Sequence, residues 1–206
     1  MGRARRIFPL SSSNLQTSCL LTESDLIEGL QRLEEPAFRA LVAQYGDRIY
    51  NTVLGLVQRA EDAEDLAQEV FVRVWQSVGS FKREAGLGTW IYRIAVTAAL
   101  DFRRKQQRHK RGGFLVSLFS RHETEPEAPD FHHPGVAAEQ KERSALLFRA
   151  IRALPEKQGA AFVLQKLEGL RQDEIAAVLD TTVSSVESLL HRAKQNLRKE
   201  LAGMMG

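Results

Sequence analysis

The stretch "LRQDEIAAVLDTTVSSVESLLHRAKQNLRKEL", Leu170–Leu201, decides how the chain is read. Ile175, Ala176 and Leu179 recur at the spacing of a short helix, and Val186, Leu189, Ala193 and Leu197 recur at the spacing of a second. Between them Asp180 to Thr182 can form a tight turn. Asp180 stands where glycine is commonest, and aspartate tolerates the left-handed backbone better than most residues. A small alanine where two helices cross, a tight turn, and a helix that packs on one face while presenting the other make a helix-turn-helix pattern. A plain helical hairpin with no DNA role would share much of this period.

Upstream, the same period continues. Leu146, Leu147, Ala150 and Leu154 mark one helix, and Pro155 opens the next, with Phe162, Val163 and Leu167 inside. From Gly112 to Pro134 periodicity fades, Pro126, Pro129 and Pro134 cluster, and Glu123, Glu125, Glu127 and Asp130 make the segment acidic, which reads as a linker. Before it, Pro36 suits a first helical turn, and Phe38, Leu41, Val42, Tyr45 and Ile49 share a face. A helix capped by Asp62 carries Leu66, Val70 and Val74 beside Phe71, Trp75 and Val78, and Gly79 stops it. Thr89 can cap a third long helix striped by Trp90, Ile91, Ile94, Ala95, Ala98 and Leu100. The expected fold is all-α: a tail over 1–21, a helical domain over 22–111, a flexible acidic linker over 112–138, and a helix-turn-helix domain over 139–206.

Composition narrows the function classes. The 206 residues, 43% of them hydrophobic, suffice for packed cores without staples, and Cys19 is the lone cysteine, which fits a reducing, cytoplasmic setting. The opening "MGRARRIFPLSSSNLQTSCLL" begins like a signal peptide, but polar residues from Ser11 to Ser18 break its apolar part, so a disordered tail is expected. No segment approaches the roughly 20 apolar residues of a membrane span, so direct membrane insertion is not expected. His122, His132 and His133 lack the partners of a metal set. There is no glycine-rich phosphate loop and no nucleophile beside a base, so neither catalysis, a cofactor nor a small-molecule substrate is expected. The net charge is a modest +3, so any nucleic-acid signal must lie in where the charges sit.

They sit in blocks. "DAEDLAQEVFVRVW", Asp62–Trp75, follows Glu61, and from Glu61 to Glu69 there are five acids and no lysine or arginine. From Asp101 to Gly113 there are six bases, Arg103, Arg104, Lys105, Arg108, Lys110 and Arg111, against Asp101 alone. Acids in a first turn also suit the helix dipole, which accounts for part of the first block. Taken together, "DAEDLAQEVFVRVW", "SFKREAGLGTWIYRIAVTAALDFRRKQQR" and the helix-turn-helix, in that order and split by a linker, resemble the extracytoplasmic-function subgroup of the bacterial sigma-70 family. The resemblance covers roughly 36–111 and 139–201.

That resemblance implies an initiation factor with two partners, core RNA polymerase and promoter DNA, and, by family habit, an anti-sigma factor. Asp65, Gln68, Glu69, Phe71 and Trp75 would bind polymerase. Phe81, Lys82, Arg83, Trp90, Tyr92, Arg93, Thr97, Arg103, Arg104 and Lys105 would engage the −10 element, aromatic surfaces catching unstacked bases beside cations that hold phosphates. Trp90 lies on the inward stripe, so it serves either the core or a base. Thr97 stands where the family often has Asn. Thr182, Ser184, Ser185, Glu187, Ser188, His191, Arg192 and Lys194 would face the −35 element, with Glu187 and Leu189 where the family's recognition helix usually has basic residues. About 27 residues from Gly112 to Ala138 can extend to roughly 90 Å, enough for the two domains to occupy separated sites. A free-standing helix-turn-helix regulator or a helical adaptor would need no such acidic helix.

Overall fold

The computed structural model describes residues 22–112 and 138–205. Among the described residues the only regular elements are helices. The first module holds α1 (Glu23–Gln31), α2 (Glu35–Val57), α3 (Ala60–Ser77), a short 3-10 turn (Val78–Ser80) and α4 (Leu87–Gly112). The second holds α5 (Ala138–Ala153), α6 (Glu156–Lys166), α7 (Gln172–Leu179) and α8 (Val183–Met205). The all-helical, two-module reading therefore holds. The expected tail, and all of the expected linker between 112 and 138, lie outside the described residues.

Helix boundaries follow capping chemistry that is partly local and partly long-range. At α1 a reciprocal box closes the first turn, Asp25 N–H donating to Thr22 Oγ1 at 3.2 Å and Thr22 N–H to Asp25 Oδ2 at 3.1 Å. The Thr22 hydroxyl, which donates to Asp25 Oδ2 at 2.7 Å, and then the Thr22 N–H hold the Asp25 carboxyl below its ordinary pKa. Pro36 does occupy the first turn of α2. α3, by contrast, begins at Ala60 rather than at an Asp62 cap. Asp62 lies inside its first turn, where Arg59 meets Glu61 at 3.6 Å and Asp62 at 3.5 Å, so the acids serve the dipole. Gly79 does not end the helix either, because Ser77 is its last residue and the 3-10 turn carries Gly79.

The third expected cap is also corrected. α4 starts at Leu87, two residues before Thr89, because Glu23 of α1 reaches across and its Oε1 accepts from Leu87 N–H at 2.9 Å. A carboxylate 64 residues away does the work expected of a neighbouring hydroxyl.

The modules do not stand apart. From Thr52 to Gln58 every residue of α2 and its cap is buried, and the cores of both modules form one continuous apolar cluster. An amphipathic surface helix would bury one stripe; this segment buries its whole circumference because α5 and α6 cover the side that α3 and α4 leave open. Gly55 sits at the crossing, where a Cβ would come within 3.0 Å of Leu167 Cδ1 and 3.2 Å of Val163 Cγ1. At the end of α2, Gln58 takes a left-handed conformation (φ 61°) with its side chain buried, and its amide donates to the Phe148 carbonyl of α5. Glycine would adopt that backbone more cheaply, but it has no amide to reach α5.

Replacing Glu23 by Ala should cost about 0.5–2 kcal/mol of unfolding free energy in urea, the range for a lost cap. Amide exchange should quicken at Leu87 and Gly88 before it does elsewhere in α4.

Candidate polymerase and nucleic-acid interfaces

On α3 the helical phase separates two groups of predicted docking residues. Asp65, Gln68 and Glu69 are exposed and form a stripe with Val72, 52% exposed. Glu69 is pinned by Arg73 at 2.6 Å, one turn on. Phe71 faces the other way and is 4% exposed, and Trp75 is half-buried, edge-on to Phe38 with ring centroids 4.9 Å apart. Phe71 is thus corrected from a contact residue to a core residue, since its period groups it with Ala67, Val70 and Val74 inside the bundle.

The loop between α3 and α4 shows a similar split. Phe81 is 7% exposed, stacked obliquely on half-buried Trp90 at 5.0 Å, and its carbonyl accepts from Gln31 Nε2 at 3.2 Å. Phe81 is therefore a buried buttress rather than a surface for a flipped base. Lys82 and Arg83 are exposed; Arg83 is left-handed (φ 59°) and holds α1 through Ser24 Oγ at 3.2 Å and Glu28 at 3.8 Å.

Along α4 most of the predicted DNA residues meet the second module. Tyr92 is 1% exposed and its hydroxyl donates to Glu168 Oε2 at 2.6 Å. Arg48 Nε reaches the same oxygen at 3.2 Å, with its guanidinium 5.5 Å from the Tyr92 ring centre. Arg93 donates to the Ala177 carbonyl at 3.1 Å through Nε. Arg103 donates to the Arg152 carbonyl at 3.1 Å, and Arg104 bridges Glu156, at 2.8 Å, and Asp101, at 3.2 Å. Thr97, Lys105 and Arg108 are exposed. Burial and then the Glu168 hydrogen bond push the Tyr92 phenol far above its ordinary pKa. Burial lowers Arg103, and the Glu156 bond raises Arg104.

The helix-turn-helix is built as its spacing suggests. Asp180 is left-handed (φ 50°), and the N–H of Thr181 donates to the Ala176 carbonyl at 3.0 Å. Thr182 Oγ1 accepts from Ser185 N–H at 3.2 Å, capping α8, and shares a 3.0 Å hydroxyl contact with Ser185. Val186, Leu190, Ala193 and Leu197 are buried and Leu189 is half-buried. Thr182, Ser184, Ser185, Glu187, Ser188, His191, Arg192 and Lys194 are all exposed, with His191 joined to Gln195 at 2.9 Å. Glu23, Arg48, Gln58, Glu156 and Glu168 carry contacts that no local motif announces, because each partner lies 52 to 120 residues away.

Comparison with known proteins agrees with this geometry. Residues 41–109 match the family model Sigma-70 region 2 and residues 144–197 match Sigma-70, region 4. The ECF RNA polymerase sigma-E factor of Haemophilus influenzae is 30% identical over 186 residues, covering 90% of this chain and 98% of that one. The RNA polymerase sigma-H factor of Pseudomonas aeruginosa is 29% identical over 184 residues, covering 89% and 95%. In fold, the chain is similar to CnrH in complex with the cytosolic domain of CnrY, with a TM-score of 0.63 at 23% identity over 86% of this chain and 96% of that one. It is equally similar to the sigma factor RpoE of Bartonella quintana in complex with the anti-sigma factor NepR, with a TM-score of 0.63 at 19% identity over 80% and 96%. This chain belongs to the extracytoplasmic-function subgroup of the sigma-70 family, non-enzymatic DNA-binding factors of transcription initiation.

Tyr92 gives a pH-dependent handle. Its folded pKa lies above the unfolded value, so its contribution to stability is complete below about pH 10 and falls away as pH rises further. Between roughly pH 9.5 and 11 wild type should lose unfolding free energy more steeply than Tyr92→Phe. Parallel losses in urea titrations would mean that the phenol is not held as described.

Proposed function

We propose that the exposed acidic stripe of α3 docks on core RNA polymerase, that α4 with the loop before it engages the −10 element, and that the outer face of α8 reads the −35 element. The observation that carries this is the segregation of charge by helix. Asp65 and Glu69 lie exposed on one face of α3, which would repel phosphate, whereas the exposed end of α4 carries Lys105 and Arg108 beside Arg103 and Arg104. On this reading residues 22–111 and 139–206 are the polymerase and −10 domain and the −35 domain. Phosphate contacts from the α4 end add affinity without sequence, and α8 side chains add sequence. No described helix is long and apolar enough to cross a membrane, and a cytoplasmic site of action fits these partners. An anti-sigma protein is a further partner, by analogy with the NepR complex.

Run-off transcription tests the whole reading. Core polymerase with this chain should start at promoters that core alone ignores; identical transcripts with and without the chain would leave a free-standing helix-turn-helix regulator as the better description. In gel filtration with core, Asp65→Lys with Glu69→Lys should weaken co-elution while helicity stays near wild type, because the exposed i,i+4 pair that Glu69 makes with Arg73 is worth only about 0.2–0.5 kcal/mol.

Glu187 tests α8. A carboxylate entering the major groove accepts from a cytosine amino group but repels phosphate. With holoenzyme on a library randomised across the −35 box, Glu187→Gln should relax preference at one position by roughly 1–3 kcal/mol. An unchanged base profile would remove the cytosine contact.

A further inference from the structure

Residues 81–86, between the 3-10 turn and α4, form no regular element, yet α1 holds this loop at three points. Where the loop begins, Gln31 Nε2 donates to the Phe81 carbonyl at 3.2 Å. At its middle, Arg83 donates to Ser24 Oγ at 3.2 Å and meets Glu28 at 3.8 Å. Where it ends, Leu87 N–H donates to Glu23 Oε1 at 2.9 Å. Ser24, Glu28 and Gln31 share one face of α1 at i, i+4 and i+7, with Glu23 beside them. That helix is itself fixed. The Thr22 box closes its first turn, Leu26, Ile27 and Leu30 are buried, and Gly29 lies so near α2 that a Cβ there would come within 2.8 Å of Ala37 Cβ.

The middle contact is the telling one. Arg83 is left-handed (φ 59°), a backbone that disfavours any residue with a Cβ and persists only where its surroundings hold it. Its guanidinium is taken up by α1, whereas Lys82 beside it is exposed and has no partner among the described residues. Among the described residues the N–H groups of 82–86 likewise donate to nothing in the chain. Bases held out of the stack are read by hydrogen bonds to their edges, so the directions of these free donors decide which base fits. A loop free to change shape offers several donor patterns and prefers no base strongly; a loop held at both ends and in the middle offers one.

Resting on the assignment of this loop to the −10 element, we propose that α1 sets base choice there without touching DNA. Glu23, Ser24, Glu28 and Gln31 are positioning residues that act through Leu87, Arg83 and Phe81, and Arg83 is a tether to α1 rather than a phosphate contact.

Ser24→Ala with Glu28→Gln frees Arg83, and Gln31→Ala frees the start of the loop; all three positions are exposed, so the fold should stand. With holoenzyme on a promoter library randomised across the −10 element, each variant should lower the preference for the favoured base at one position by about tenfold, the scale of one hydrogen bond. The −35 profile and co-elution with core should stay as in wild type, while amide exchange at 82–86 quickens in the free chain. Simple electrostatics predicts otherwise: loss of the Glu28 charge would raise affinity on every sequence alike and leave base preference intact. Ser24→Ala alone changes no charge and should still flatten the profile. Glu23→Gln, whose amide oxygen can still accept from Leu87 N–H, should keep the wild-type profile that Glu23→Ala loses, a split that general destabilisation would not produce. Quickened exchange with an unaltered −10 profile, exchange that stays at the wild-type rate, or −10 and −35 profiles that flatten together would each overturn the proposal. A wild-type holoenzyme that selects no sequence from the library overturns the proposed function instead, and leaves the exchange result standing.

Discussion

The segment of α2 from Thr52 to Gln58 is buried around its whole circumference, and the rest of the structure depends on that constraint. A helix with one apolar stripe needs one neighbour; a helix with apolar residues on every side needs a second layer. α3 and α4 supply the first layer and α5 and α6 the second, with Gly55 allowing the close approach of Val163 and Leu167. Two modules that match separate family models thereby share a core. Burial of that surface favours the joined state by the ordinary hydrophobic term, while the polar contacts around it set register rather than supply most of the stability.

Legibility in the sequence divided along the range of the interactions. The helix-turn-helix was readable because its determinants are local: the Ala176 crossing, the Asp180 turn and the alternation of Val186 and Ala193 with exposed neighbours all lie within a few turns. Helix starts were less legible. Asp62 and Thr89 are good caps by residue type, yet α3 starts two residues before Asp62 and α4 starts where Glu23 accepts from Leu87. Phe71 was readable as aromatic but not as inward-facing, because a helix with apolar residues on adjacent stripes leaves the choice of buried face to its neighbours, and Phe81, in the loop after the 3-10 turn, has no helical period to place it. The length of the linker permits separated modules and says nothing of the interface they can form.

The cluster at Glu168 shows how a polar group can specify an interface that apolar contacts would otherwise hold loosely. Its carboxylate draws Arg48 from α2 and Tyr92 from α4 to one point, so both helices of the first module are registered against the loop between α6 and α7. Gly169, left-handed (φ 70°), directly follows and allows that loop to turn. Separating the modules rehydrates all three groups at once, so the net free energy of parting is far smaller than the gross strength of the contacts.

The choice of cation along the first module follows from the same physics. Arginine's planar fork can donate to two acceptors in fixed directions, whereas lysine is a compact and strongly hydrated point charge. Arginine is the cation at the α4 positions that hydrogen-bond the second module, Arg93, Arg103 and Arg104, and Arg104 uses its fork to bridge Asp101 and Glu156. Lysine stands at Lys82 and Lys105, both exposed to water. Fork geometry serves carbonyl ends and carboxylates in the closed chain and suits phosphate oxygens equally well. A residue whose fork fits one of these acceptors therefore fits the other without any change in its own chemistry.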